Sequence, residues 1–216
     1  MICRMKSAEE TKKYVETCKE TFWQNVFRIE TDYLVSHLRG SLDILSVGCG
    51  PAVIEEKLSA HGLHITGLDI SFEALKCAPD AVRTVAGRAE DMPFPESSFD
   101  AVIYVASLQF IEDYRKALQR SFAVLRTEGK IIAMLLNPQS GFVKQKRLEP
   151  DSYVNLIRHT DVKQIERFMA ELFSIQTAYI LGIEGEKIYE SNDPRQAALY
   201  VINGLKNEPA KRKEEL

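Results

Sequence analysis

Residues 42–52 read LDILSVGCGPA: an apolar run, two glycines one residue apart, then a proline and an alanine. A short apolar run that breaks at glycine and restarts as a helix is the strand–turn–helix signature of an α/β unit. Gly48 and Gly50 let the backbone turn sharply and approach a ligand with no Cβ in the way. The N–H groups of the helix that follows, with Pro51 expected in its first turn, favour an anionic or acceptor group. The next apolar run, LHITGL (63–68), ends at Asp69, a carboxylate able to accept hydrogen bonds from both hydroxyls of a ribose.

Outward from this stretch the alternation continues. Short strands are expected at Thr84–Ala86, Ala101–Val105 (AVIYV) and Lys130–Leu136 (KIIAMLL). Ser71 and Asp113 are expected to cap helices at 72–77 and from Tyr114 onward, with Gly129 at the end of the second. Apolar runs without polar alternation suit a parallel sheet buried on both faces. The spacing therefore predicts a doubly wound, mostly parallel α/β sheet. Upstream, Ser7 and Glu10 form a capping box for helix over 8–38, broken once, with Val15, Cys18, Phe22, Val26, Ile29 and Tyr33 on one face. Downstream, helices are expected at 151–159 and 161–172, and strands at Ser174–Ile183 and Ala197–Leu205 as an antiparallel edge hairpin. These complete a seven-stranded sheet. The chain thus divides into an N-terminal helical lid (1–40), an α/β core (41–137), a substrate-covering insertion (138–173), C-terminal strands (174–206) and a charged tail (207–216).

Composition narrows the function. The 216 residues carry 28 basic and 31 acidic side chains, a formal charge of −3, with a pI of about 5.9. That balance argues against a nucleic-acid partner, which calls for basic excess. No run reaches membrane-span length, and residues 1–6 lack the apolar core of a secretory signal. The four cysteines stand far apart with no CxxC pair, so no metal is expected, and reduced thiols suit a cytoplasmic setting. No nucleophile triad or paired-carboxylate hydrolase signature appears.

Glycine turn plus strand-end acid point to a nucleoside ligand without saying which. An NAD fingerprint needs a third small residue at position 53, where this chain has Val53. LSVGCGPA, then GLDIS, then AEDMPFPESSFDAVIYVASLQFIED, then LRTEGKIIAM, over residues 42–136, resemble the class I S-adenosylmethionine-dependent methyltransferases, in the small-molecule branch of the ubiquinone/menaquinone enzymes. The resemblance implies a Rossmann-like methyltransferase fold and S-adenosyl-L-methionine as cofactor. It places Gly48, Cys49 and Gly50 beside the methionine moiety, Asp69 on the ribose, and Ile70 on the adenine. Arg88, Ala89 and Glu90 embrace the adenine, and Val105 lies beneath the methyl group, with Tyr104 before it.

Departures from the family pattern sharpen the expectations. Ser46 stands where relatives carry Asp or Glu, so a polar contact near the methionine ammonium is weakened or supplied from elsewhere. Ala52 replaces a glycine, and Arg88 replaces Asp or Asn. Phe110 stands where many relatives have His, which removes that base. His159 in the insertion is the remaining candidate base. Tyr14 is expected to close over the sulfonium, since cations favour aromatic faces. Trp23, Gln109 and Phe110 are expected at the substrate. Tyr104-Val105-Ala106-Ser107 lacks the motif of amino-methylating nucleic-acid enzymes, which favours a small-molecule acceptor. The implied activity is in-line methyl transfer to that acceptor. The alternatives are a non-catalytic S-adenosylmethionine-binding partner subunit and an NAD(P)-dependent oxidoreductase.

Overall fold

The computed structural model describes residues 8–206. The chain runs α1 (Ala8–Cys18), α2 (Thr21–His37), β1 (Asp43–Val47), α3 (Val53–Ala60), β2 (His64–Asp69), α4 (Phe72–Leu75), β3 (Arg83–Ala86) and β4 (Phe99–Val105). It continues through α5 (Tyr114–Val124), β5 (Leu125–Leu136), α6 (Gly141–Arg147), α7 (Val162–Leu172), β6 (Phe173–Glu184), β7 (Lys187–Tyr189) and β8 (Ala197–Lys206). Short 3-10 turns lie at Ala89–Asp91, Leu108–Phe110 and Tyr153–Leu156.

The strands form one sheet in the order β3-β2-β1-β4-β5-β8-β6-β7. β3 to β5 pair in parallel. β8, β6 and β7 pair antiparallel beyond β5. The chain order reverses at β1, between β2 and β4, and a ligand crevice opens at the carboxyl ends of the strands there.

Period-two alternation sends successive side chains to opposite faces. Ile44, Ala101, Ile103, Ile132 and Met134 pack on one face with Val26, Phe27 and Leu34 of α2 and Ile54 and Leu58 of α3. Leu45, Val47, Val102, Tyr104, Ile131 and Ala133 pack on the other with α5 and α7. On α7, Val162, Ile165, Phe168 and Met169 recur at helical spacing, and all are buried. The same parity puts Ser46 and Val105 on the α2–α3 face.

Several local expectations are corrected. The sheet has eight strands, not seven, because β6 turns back at Gly185 (φ 59°) and pairs with three-residue β7. Pro51 precedes α3 instead of occupying its first turn, and Ala52 takes the left-handed N-cap (φ 59°, ψ 39°). Gly129 lies inside β5, since α5 ends at Val124 and passes directly into that strand. Residues 151–159 give only the 3-10 turn, whereas α6, capped by the Ser140 hydroxyl accepting Val143 N–H at 3.2 Å, was not anticipated. The buried face of α2 is Val26, Phe27, Glu30, Thr31 and Leu34, leaving Ile29 and Tyr33 partly exposed. The Ser71 and Asp113 caps form, accepting Ala74 N–H at 3.2 Å and Lys116 N–H at 3.0 Å. The Ser7 half of the capping box and the charged tail 207–216 lie outside the described residues.

Candidate active site

The turn after β1 is held on two sides. Gly48 (φ 75°) donates its N–H to Leu68 O at 2.7 Å, and a Cβ on it would lie 2.6 Å from Ser107 Cβ. Ser107, just past β4, anchors itself by donating its hydroxyl to Val47 O. The turn is thus packed against β2 and against the β4 exit, and only glycine fits at position 48. Asp69 at the end of β2 is buried and accepts Gly50 N–H at 2.8 Å and Ser71 N–H at 2.7 Å. Burial pushes its pKa up, and these backbone N–H groups oppose that shift. Among the described residues neither Asp69 oxygen enters a salt bridge, and each retains acceptor capacity.

Two cavities meet at Gly48. The first, of about 430 Å³, is a polar cleft bordered by Asp69, Ile70, Arg88, Ala89, Glu90 and Phe110. The second, of about 100 Å³, is mostly apolar and is bordered by Tyr14, Trp23, Glu30, Cys49, Glu55 and Val105, among others. In the cleft Ile70 is 55% exposed, an apolar face presented to the opening. Arg88 reaches across the rim to Glu90 at 2.9 Å and Glu112 at 3.2 Å. Glu90 is buried and also accepts Asp113 N–H at 3.4 Å, so one carboxylate joins the cleft floor to the start of α5.

The structure brings together Gly48, Cys49, Asp69, Ile70, Arg88, Ala89, Glu90, Val105, Tyr14 and Trp23 at one or other cavity wall. Gly50 (φ 55°) serves through the N–H it donates to Asp69. The Cys49 thiol is buried and pushed far up by desolvation, which leaves it inert, packed beneath Gly67. Three substrate-side expectations land elsewhere. Phe110 borders the polar cleft rather than the apolar cavity. Gln109 borders neither: its amide donates to Leu136 O at 3.1 Å and accepts Leu136 N–H at 2.7 Å, and its carbonyl accepts the N–H groups of Arg158 and His159. It ties the insertion to the end of β5. His159 also borders neither cavity; its Nε2 bonds Ile111 O at 2.8 Å and its ring meets Tyr114 edge-on. These contacts tie the ring to the segment leading into α5.

Two acids went unnoticed in the sequence. Ser46 donates its hydroxyl to Glu55 Oε1 at 2.5 Å, so the carboxyl missing at the end of β1 is present at the same spot, carried on α3. Burial pushes Glu55 up to about 7, and the Ser46 bond opposes it. Glu30 lies four residues after Val26 and four before Leu34, in the middle of the buried stripe of α2. A charged residue breaks a hydropathy pattern, so both were passed over; their helical register with buried neighbours is the signal that could have found them. Val53, where a dinucleotide fingerprint needs Gly or Ala, borders the apolar cavity.

Residues 45–133 match the methyltransferase domain family. The demethylmenaquinone methyltransferase of Listeria welshimeri is 30% identical over 140 residues, 59% of this chain and 54% of that protein. The chain therefore aligns with about half the length of this relative. A solved S-adenosylmethionine-dependent methyltransferase of Thermotoga maritima, described as a possible histamine N-methyltransferase, superposes with a TM-score of 0.78 at 17% identity, over 93% of this chain and 97% of that one. One from Archaeoglobus fulgidus gives 0.65 at 15% identity, over 83% and 94%. Likeness at such identities speaks for the fold. The chain is similar over residues 45–133 to the methyltransferase domain family and has the fold of the S-adenosylmethionine-dependent methyltransferases, with the menaquinone enzymes among its sequence relatives.

Proposed function

We propose that the protein transfers a methyl group from S-adenosylmethionine to a small-molecule acceptor, in the cytoplasm. The observation that carries this reading is the junction at Gly48. There a polar cleft with a strand-end carboxylate opens onto an apolar, aromatic cavity. The residues fit the two unlike ends of the cofactor. Asp69 offers carboxylate acceptors for the ribose hydroxyls, Ile70 and Phe110 offer apolar faces for the adenine, and Glu55 offers a carboxylate for the methionine ammonium. When bound, S-adenosylmethionine supplies a methyl group on a sulfonium, an electrophile whose leaving group is a neutral thioether.

The rest of the work falls to the chain. Tyr14, Trp23 and Val105 wall the apolar cavity and keep water from the reacting centre. The aromatic faces of Tyr14 and Trp23 suit a cationic centre. The fixed turn and the fixed β4 exit set the line of approach, and proximity on that line is worth several kcal/mol of barrier. Tyr153 from the insertion reaches the apolar cavity while Leu156 and Arg158 border the cleft, so the segment 138–173 covers both. The free thiols of Cys18, Cys49 and Cys77 support a reducing compartment.

Calorimetry with S-adenosylhomocysteine and with NADH tests the reading. Binding of S-adenosylhomocysteine is expected, with loss of most affinity in Asp69→Ala. Binding of NADH without S-adenosylhomocysteine would overturn it. Transfer of labelled methyl groups to a metabolite library then identifies the acceptor.

A further inference from the structure

Glu30 is a carboxyl with nothing to do in the folded chain. It is 5% exposed, it borders the apolar cavity, and among the described residues no hydrogen bond or ion pair reaches it. A buried ionisable group left without a partner destabilises the fold, by several kcal/mol if charged. Such a group is explained when a ligand completes it. Its surroundings are specific. Tyr14, Trp23, Phe27 and Tyr153 present aromatic rings to the same cavity, and among the described residues no Lys, Arg or His borders it. A carboxylate in a box of aromatic faces with no internal cation is the complement of an ammonium group. Glu55 is already engaged by Ser46 beside the glycine turn, so Glu30 is the acid left over for a second cation.

Resting on the methyltransferase reading above, we infer that the apolar cavity is the acceptor site and that Glu30 binds the ammonium of a small amine with an apolar body. This makes amines the acceptor class and Glu30 the residue that selects them over alcohols of the same shape; for transfer, the Glu30 carboxylate would take one ammonium proton and free the nitrogen lone pair that receives the methyl group, the neutral thioether leaving with the bonding pair. Among the described residues, the titratable groups that face Glu30 are Tyr14 and Cys18 of α1, Cys49 of the turn, Glu55 of α3 and Tyr153 of the insertion. All are acids, and burial together with Glu55 raises Glu30 to about 8. At pH 7 the free site is therefore protonated, and pairing with an ammonium expels one proton.

The test uses the full chain saturated with S-adenosylhomocysteine at pH 7. Phenethylamine, isoamylamine and tryptamine are titrated beside the alcohol of each carbon skeleton, in two buffers of different ionisation enthalpy. The amines are expected to bind at least tenfold tighter than the alcohols and to release close to one proton. Glu30→Gln is expected to remove that preference while S-adenosylhomocysteine affinity changes less than threefold. Alcohols binding as tightly as amines, no amine binding, or binding without proton release would overturn the assignment, and the last needs no variant. A large loss of S-adenosylhomocysteine affinity in Glu30→Gln would assign the carboxyl to the cofactor instead and overturn it. Failure of the wild-type chain to bind S-adenosylhomocysteine would instead strike the methyltransferase reading.

Discussion

Gly48 shows how one missing Cβ can set a site. Position 48 has φ 75° and only 2.6 Å between a notional Cβ and Ser107 Cβ. Gly48→Ala combines left-handed strain of about 1–2 kcal/mol with overpacking of about 1–3 kcal/mol. Urea melts should show a loss of about 2–5 kcal/mol, and the shifted turn should abolish S-adenosylhomocysteine binding. Ala52 is the contrasting neighbour: it adopts φ 59° with a methyl group in place, fully buried. Strain there is offset only in part by burial of that methyl, worth about 0.8 kcal/mol. The Ser46–Glu55 pair makes a second case. A carboxyl moved from strand to helix arrives at the same place because Ser46 points to the α3 face. Glu55→Gln should weaken S-adenosylhomocysteine binding about 10- to 100-fold, the range of a hydrogen bond to a charged group. Unchanged affinity in calorimetry would take Glu55 out of the cofactor site.

At the next level, the strands are pinned at the end away from the site. Arg126 of β5 holds Asp43 of β1 at 2.9 Å and Asp100 of β4 at 2.6 Å, and Asp100 also accepts the N–H groups of Leu42 and Asp43. Arg126 holds Asp43 below the ordinary carboxylate range, with help from His64. Burial would raise Asp100, but the two backbone N–H groups and Arg126 outweigh it and hold it low. Carboxyls depressed by folding stabilise above their unfolded pKa of about 4 and lose that contribution as pH falls below it. Arg126→Met should therefore lower the urea midpoint at pH 7, and only modestly because the pair is partly exposed. The gap from wild type should close near pH 3 in pH-resolved melts. The helices and strands themselves were legible wherever a periodic run had clear punctuation: β1, β2 and β4, and the Ser71 and Asp113 caps. α6 and β7 were not, since seven and three residues carry too little pattern to rise above a loop.

Across the folded chain, two buried acids give stability an unusual pH dependence. Glu30 is raised to about 8 and Glu55 to about 7, in both cases chiefly by burial. An acid whose pKa rises on folding contributes stability that is full below its unfolded pKa and is lost as pH rises through the folded value. The melting temperature of the ligand-free protein should therefore fall by several degrees between pH 6 and pH 9. Glu30→Gln should flatten that decline and melt above wild type at pH 9. An equal decline in both proteins would show Glu30 ionised or solvated in the native state. S-adenosylhomocysteine should raise the melting temperature by mass action on the folded form.

The amino-acid order was enough for the layered α/β architecture, the glycine turn, the acid at the end of β2 and the 88–90 segment beside it at the cleft. All of these are local: each depends on residues within a few positions of one another, and on periodicity that any chain must obey. What it could not disclose was which polar residues lie inside. Glu30 and Glu55 carry no local signal that separates them from the surface acids of amphipathic helices, while His159 and Gln109 stand out as candidate site residues. Packing decides the surroundings of all four. The sheet face that α2 and α3 share turns two carboxyls inward, while backbone carbonyls of neighbouring segments capture the His159 ring and the Gln109 amide. Burial of a polar group is a property of contacts between distant segments, and no window along the chain contains them.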